Sequence, residues 1–318
     1  MAERFLVTGA LGCIGAWVVR QLVDEGVDLV ALDRGGSDHR LRQILTPAEL
    51  KSIRRADCDI TDLAELSPVV ADGITHIVHL AALQVPLCRA DPSLGASVNV
   101  VGTVNLFEAV KAAGGIDGPI AYASSVAAYD EADAGADEPS GHAKTLYGVY
   151  KLANEGTARV HAADDGIASV GLRPYVVYGV GRDQGMTSSP TVAMLSAAAG
   201  VPYAITYSGH SILQSGADIA ACFVAAARSP LTGASLYNLS GSAVDMTEVV
   251  SAIGAAAPAS VGAITIDGPA LPFPGDLDAT AFQRDVADIA WTPLYEGVRS
   301  TIERFGALLA DGTLARPA

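Results

Sequence analysis

The sequence predicts an α/β protein, a doubly wound parallel sheet with a smaller C-terminal lobe. Three observations predict it. A glycine loop, Thr8-Gly9-Ala10-Leu11-Gly12-Cys13-Ile14-Gly15, follows the apolar run Phe5-Leu6-Val7 and precedes a helical pattern at Trp17, Val18, Val19, Leu22 and Val23. Strand-like and helix-like segments then alternate as far as Pro174, as in a parallel sheet with crossover helices. Beyond Pro174 the rhythm changes, and Pro190, Pro202, Pro230, Pro258, Pro269, Pro272 and Pro274 cut the chain into short pieces.

Strand, glycine loop and helix form the setting in which a backbone binds a pyrophosphate. Gly9 allows a tight turn off the strand, Gly12 lets N–H groups approach phosphate oxygens, and Gly15 lets the helix pack close to the sheet. The helix N-terminus offers unpaired donors and a positive partial charge. The spacing is G-x-x-G-x-x-G, not the G-x-G-x-x-G of the Rossmann fingerprint. The expected division is residues 1–174 as a dinucleotide-binding domain. Residues 175–318 form a substrate-binding lobe with elements packing back on the first.

Composition narrows the function classes. The chain has 318 residues, 50% of them hydrophobic and 17% charged, so a large core is available. A formal net charge of −15 leaves no basic stripe for nucleic acid. Cys13, Cys58, Cys88 and Cys222 are scattered and form no C-x-x-C pair, so neither zinc nor a disulfide framework is expected. Reduced thiols fit a cytoplasmic location. The N-terminus carries no leader pattern. No apolar run approaches the ~20 residues that span a bilayer, so no membrane partner is expected.

Taken in order, Val27 to Asp33 is a second strand ending in an acid. A carboxylate there accepts both hydroxyls of an adenosine ribose and repels a 2′-phosphate, which favours NAD; Arg34, next to it, softens that exclusion. Residues 36–50 are irregular until a helix from Pro47. Ser52 to Cys58 is a short strand, with Asp59-Ile60 at its end; Asp59 is in reach of an adenine amino group. Thr61 caps a helix through Leu63, Leu66 and Val69. Ile74 to Ala82 is a buried strand whose end, Leu80-Ala81-Ala82, is small enough for a cofactor to lie across. His76 and His79 have no ligand-spaced partners and are expected to be structural. A helix covers 92–113, and Asn99 inside it, a poor helix residue, is expected to bond to something specific. Pro119 to Ser125 is the next strand, followed by Tyr129 and an acidic segment, Asp130 to Glu138, expected to be a solvated surface loop.

Thr145-Leu146-Tyr147-Gly148-Val149-Tyr150-Lys151 opens an amphipathic helix through Ala153, Val160 and Ala163. Tyr147 and Lys151 lie one helical turn apart and share a face, whereas Tyr150 and Lys151 point different ways. Ile167 to Pro174 is a sixth strand. Ser215 to Ala227 is helical, Ala234 to Leu239 is a strand, and both are candidates to pack back on the sheet. The last helix runs from Leu294 to Leu309.

Ser125, Tyr147 and Lys151 form a plausible acid–base set. When a hydride leaves carbon, a proton must leave the attached oxygen. A tyrosine accepts it if its pKa falls from the usual ~10, which a neighbouring ammonium promotes. A serine hydroxyl polarises the same oxygen.

Together, T-G-x-x-G-x-x-G at 8–15, Asp33, Asp59-Ile60, His79-Leu80-Ala81-Ala82, Asn99, Ser124-Ser125 and Tyr147-x-x-x-Lys151 resemble the extended short-chain dehydrogenase/reductase superfamily, in its NAD-dependent epimerase/dehydratase branch. Leu172-Arg173-Pro174 to Val177-Tyr178-Gly179, Asp218-Ile219-Ala220 and Pro274-Gly275-Asp276 extend the resemblance. It implies a Rossmann domain holding NAD through Gly9, Gly12, Cys13, Ile14, Gly15, Asp33, Arg34, Asp59, Ile60, Leu80, Ala81, Ala82, Asn99, Tyr147 and Lys151. It also implies Tyr147 as base, Lys151 as its activator, Ser125 as the polarising hydroxyl, and homodimers through the helices near 92–113 and 145–165.

The departures shape the functional expectation. Nucleotide-sugar members resemble one another in an asparagine, an arginine and a second arginine that hold the substrate diphosphate. Here Val176, Ser211 (with Gln214 as the polar substitute) and Phe273 stand in those regions. Each charge-assisted contact is worth roughly 1.5–3 kcal/mol. The expected substrate is therefore small and nucleotide-free: a free sugar, sugar acid or hydroxy acid oxidised with NAD. Arg182 is the main basic candidate beside it, and Gln84, Ser125, Tyr129, Tyr175 and Thr187 are candidate contacts. The alternatives are a nucleotide-sugar 4-epimerase or dehydratase with tightly bound NAD, and a non-catalytic NAD sensor.

Overall fold

The computed structural model describes residues 2–133, 138–275 and 277–317. Asp276 and residues 134–137 of the acidic segment, both singled out above, lie outside them. A seven-stranded parallel sheet forms the centre. It comprises β1 (Arg4–Thr8), β2 (Asp28–Asp33), β3 (Arg54–Asp57), β4 (His76–His79), β5 (Ile120–Ala123), β6 (Ser169–Arg173) and, from the second half of the chain, β10 (Ala234–Asn238). The order is β3-β2-β1-β4-β5-β6-β10. The direction of winding reverses between β1 and β4, which opens the crevice where such sheets bind ligands.

Helices cover both faces. On one, α1 (Cys13–Asp24) packs beside α10 (Gly216–Arg228) around Phe5, Val19, Leu22 and Phe223. On the other, α4 (Leu63–Val70), α7 (Gly102–Ala112) and α8 (Leu146–Asp165) enclose Leu6, Leu66, Phe107 and Ile120. A third cluster, with Tyr178, Met194, Ile253 and Phe305, builds the C-terminal part. There β7 (Val176–Tyr178), β9 (His210–Ser215) and β11 (Ser242–Asp245) form one small sheet, and β8 (Tyr203–Ile205) with β12 (Ile264–Ile266) another. Around them lie α9 (Ser189–Ala199), α11 (Met246–Ala256) and α13 (Leu294–Ala310).

Several expectations change. Residues 36–50 are not irregular until Pro47: His39–Ile44 forms a short helix, α2, because Leu41 and Leu45 find the core. The helix α3 (Pro47–Ser52) then starts with a capping box between Thr46 and Glu49. Asp62, not Thr61, caps α4, because its carboxylate accepts from Ala64 and Glu65 while Thr61 turns back to Asp59. The expected 92–113 helix contains a π turn, Ser97–Val101, between α6 (Pro92–Ala96) and α7. That extra residue turns Asn99 inward, and its amide bonds both the N–H and C=O of Leu83. The segment after Tyr129 is not wholly solvated, since Asp130 and Asp133 are buried and cap local turns.

The largest reversal concerns α8. Its buried face is polar: Lys151, Asn154, Glu155 and His161 point inward, while Val149 and Val160 are exposed. Thr145 caps its N-terminus through the Gly148 N–H, and Gly166 ends it in the left-handed region at φ 68°.

His79 joins β4 to its neighbours. Its ring nitrogens lie 2.7 Å from Thr8 Oγ1 and 3.1 Å from Thr103 Oγ1. His76 stacks on Phe5 at 4.8 Å. Burial, and next the charge of Lys151, hold the His79 pKa down to about 3. The unfolded chain therefore takes up a proton at this site first, below its ordinary pKa of 6.5, and that uptake favours unfolding. Stability falls as pH drops from about 6.5 toward 3. In urea unfolding at pH 7 and pH 5, His79→Gln is expected to lose less stability between the two than the parent chain does; an equal loss would contradict this linkage.

Candidate active site

The glycine loop leaves β1 with Gly9 at φ +68°. A Cβ on Gly9 would lie 2.7 Å from the Ala81 nitrogen, and one on Gly15 would lie 2.2 Å from the Gly9 oxygen. Neither position tolerates a side chain, so the loop is pressed between α1 and the end of β4. Gly12 has its hypothetical Cβ 3.1 Å from the Gly9 oxygen.

Beyond the loop lies a cleft of about 590 Å³ lined by Gly9, Gly12, Asp33, Arg34, Asp59, Ile60, Leu80, Ala81, Ala82 and Gln84, among others. Asp33 Oδ2 accepts the Leu11 N–H at 2.9 Å, and Oδ1 accepts the Arg34 N–H. Burial pushes the Asp33 carboxyl up, against these N–H donors. Arg34 is exposed and reaches Asp59 at 3.2 Å, and Asp59 also takes the Thr61 N–H and hydroxyl. Asn99 does not line the cleft: it acts on it through Leu83, which does.

The cleft fits a dinucleotide. The glycine cradle would be filled by any Cβ, and an acid closes the second strand. The clasp over its rim left no sign in the sequence. Asp183, from the loop after β7, is held by Arg40 at 2.7 Å and by His39 at 2.6 Å. Arg40 also donates to the Leu11 carbonyl at 3.0 Å. His39 and Arg40 fall in the stretch read as irregular; a helical reading of His39-Arg40-Leu41 would have exposed them.

A smaller chamber of about 190 Å³ continues from the loop. Cys13, Ile14, Gly15, Ser125, Tyr147, Lys151, Tyr175, Arg182, Met186, Thr187 and Phe273 are among its walls. Lys151 Nζ donates to the Ala123 carbonyl at 2.6 Å and sits 5.3 Å from the centre of the Tyr147 ring. Burial lowers the Lys151 pKa to about 8. Burial also raises that of Tyr147, and the Ser125 hydroxyl, followed by the Arg182 charge, opposes the rise.

Arg182 donates to Thr187 Oγ1 at 2.8 Å, and its Nε is buried with no hydrogen-bond partner. Tyr207, missed by the sequence reading, has a buried hydroxyl that is also unpartnered, and the Arg182 charge acts on it. Tyr175 donates its N–H to Gln214 Oε1 and its hydroxyl to the Phe273 carbonyl. Tyr129 is fully buried away from the chamber: Arg173 donates to its hydroxyl, which donates to Asn238. It is not a substrate contact.

Of the three departures singled out above, Val176 and Ser211 are buried, and Phe273, also buried, walls the chamber. Gln214 is not the polar substitute it promised to be: its amide is spent on Tyr175, Leu239 and Ser240 backbone atoms. Far from both cavities, Glu108, His161 and Asp165 bring candidate metal-ligand atoms within 4.8 Å of one another. The Lys111 ammonium, 2.7 Å from Asp165, already supplies the positive charge there.

Comparison with known proteins agrees with this geometry. The model of the family described as "NAD dependent epimerase/dehydratase family" matches residues 5–239. UDP-glucuronate 4-epimerase 1 of Arabidopsis thaliana is 34% identical over 191 residues, 55% of this chain and 42% of that protein. The match thus spans well under half the length of that relative. The structure of MoeE5 in complex with UDP-glucose and NAD has a TM-score of 0.79 at 28% identity, covering 96% of this chain and 100% of that one. L-threonine dehydrogenase of Clostridium difficile shares the fold, with a TM-score of 0.82 at 19% identity over 98% of this chain and 99% of that one. With its matching family model, its switch-point crevice and its glycine cradle, the chain belongs to the NAD-dependent epimerase/dehydratase family, and its cofactor is NAD.

Proposed function

We propose that this family member oxidises, reversibly, a hydroxyl of a small, nucleotide-free substrate bearing a carboxylate, a sugar acid or hydroxy acid. One observation carries the reading. The chamber beside Ser125 and Tyr147 is small, Val176 and Ser211 are buried and Phe273 walls it, and Arg182 is the cation on its substrate side among the described residues. A buried guanidinium Nε without a partner is costly, and an anionic substrate group satisfies it.

Bound NAD supplies the hydride acceptor. Asp33 and the glycine loop hold it, and Lys151 stands at the boundary of cleft and chamber. Tyr147 takes the proton of the reacting hydroxyl, while Ser125 holds the same oxygen. The positive charge of Arg182 and the Ser125 hydroxyl make the buried phenol a better base than burial alone leaves it. Arg34, turned to Asp59, leaves Asp33 to exclude a 2′-phosphate. Exposed Leu94, Val101, Val149 and Val160 on the helices flanking the site support a homodimer. Unpaired cysteines support a cytoplasmic location. No helix among the described residues is long and apolar enough to cross a membrane.

A second reading, UDP-sugar 4-epimerase, is favoured by the names of the similar proteins. The deciding experiment incubates the protein with NAD and a panel of sugar acids, hydroxy acids and free sugars, reading NADH absorbance, beside a thermal-shift titration of the NAD complex with UDP. NADH from a carboxylate-bearing substrate, with no added shift from UDP, is the expected result. Epimerised UDP-sugars with no NADH from any panel member would overturn it.

Two variants follow. Tyr147→Phe is expected to cut NADH production at least ~100-fold while the thermal shift with NAD stays as it was. Arg182→Met is expected to raise KM for the carboxylate substrate by about 10- to 100-fold and to leave KM for NAD within about twofold. Equal KM values in parent and variant would show that Arg182 does not meet the substrate.

A further inference from the structure

Three consecutive residues at the end of β5 meet three consecutive turns of α8. Ser125 lies beside Tyr147. The Ala123 carbonyl accepts from Lys151 at 2.6 Å. Ser124 Oγ donates to Glu155 Oε1 at 2.5 Å. The first two pairs contain the side chains assigned to the chemistry. The third contains none of them, yet it is the most heavily anchored.

Glu155 is buried, and both of its oxygens are gripped by Arg173, whose Nε and Nη2 each lie 2.9 Å from the carboxylate. Arg173 is itself buried and extends the chain of contacts to Tyr129 at 2.7 Å and Glu138 at 3.0 Å. Tyr129 continues to Asn238 on β10, and Asn238 to the Asp278 carbonyl. A rigid acid thus ties the strand end to the helix from behind the site.

We propose that Glu155 is a positioning residue: its carboxylate locks Ser124 to α8, so that Ser125, Tyr147 and Lys151 are presented in one register, and its negative charge faces Lys151 one turn away. This rests on the reading of those three side chains as the reacting set, but not on any substrate. A helix can slide along this strand end only by breaking the bond together with those at Ala123 and Ser125, and of the three it is the one backed by a buried ion pair. The charge matters as well. The ionisable groups that act on Lys151 are Cys88 on α5 (Val85–Ala90) and Glu155 on α8; both favour the ammonium against burial. Tyr147 on α8 lies against it through its ring, and His79 on β4 is held neutral partly by it. Of these groups Glu155 is the carboxylate.

The test needs no substrate. Protein labelled with lysine carrying ¹⁵N at Nζ gives signals from Lys51, Lys111, Lys144 and Lys151, with Lys151→Arg assigning the last. Amide hydrogen exchange is followed in the same samples. In Glu155→Gln, exchange is expected to quicken at least ~10-fold at residues 123–126 and 146–151 and to stay unchanged in α13. The Lys151 midpoint is expected to fall by about half a unit or more. Glu155→Asp is expected to restore both in part. A folded Glu155→Gln protein with neither change overturns the proposal. So does exchange that quickens equally in α13, which would mark a purely structural acid. Because Gln leaves Arg173 buried without its counter-charge, Glu155→Gln can fail to fold. Ser124→Ala then carries the test: it removes the lock and keeps the ion pair. The same local quickening of exchange is expected, and none would overturn the proposal.

Discussion

The structure depends on one steric constraint, the contact of bare backbone with bare backbone where β1 turns into α1. Gly15 lies so close to the Gly9 carbonyl, and Gly9 so close to the Ala81 peptide, that neither position admits a methyl group. This closeness seats the first turn of α1 at the mouth of the crevice between β1 and β4, with its unpaired N–H groups facing the phosphates. Asp33 receives the Leu11 N–H from the same loop, so the acid that closes β2 is fixed by that turn. The small residues at the end of β4 serve the same purpose from the other side.

Much of this was legible. A glycine without a side chain is visible in sequence, and so is an acid that closes a buried strand. The alternation of strand and helix foretold the sheet, including the return of residues 234–239 to it, because apolar periodicity is a local property. What escaped was the part that periodicity cannot carry. Helix α8 buries lysine, glutamate, asparagine and histidine and exposes valine, which is the opposite of an amphipathic pattern. Three of these groups meet a partner from elsewhere in the chain: Ala123 for Lys151, Ser124 and Arg173 for Glu155, and Phe107 stacked on His161, while Asn154 Oδ1 has no hydrogen-bond partner.

The site divides along the same line. The grouping of Ser125, Tyr147 and Lys151 around one chamber was readable from their spacing, since two of them share a helix face. The electrostatics were not. In the structure Lys151 lies over the Tyr147 ring and bonds a carbonyl, and the charge of Arg182 also reaches the phenol. Arg182 comes from a loop far along the chain, and no local pattern says where its guanidinium ends. Gln214 shows the converse: a polar residue in a suggestive position, fully occupied by backbone partners that only the fold reveals.

The pairing of β10 with β6 has a bearing on how the protein is made. The helix α10 that covers the sheet beside α1, and the strand that closes its edge, both follow the first six strands of the sheet and most of the residues that line the chamber. As the chain leaves the ribosome from its N-terminus, the first six strands of the sheet emerge with α1 half uncovered and β6 as an open edge. Arg228 closes this gap last, pairing with Glu3 and Glu25 and resting over Phe5. Nascent chains shorter than about 240 residues therefore expose an apolar face and an unpaired strand, the two features that chaperones bind and that aggregation uses.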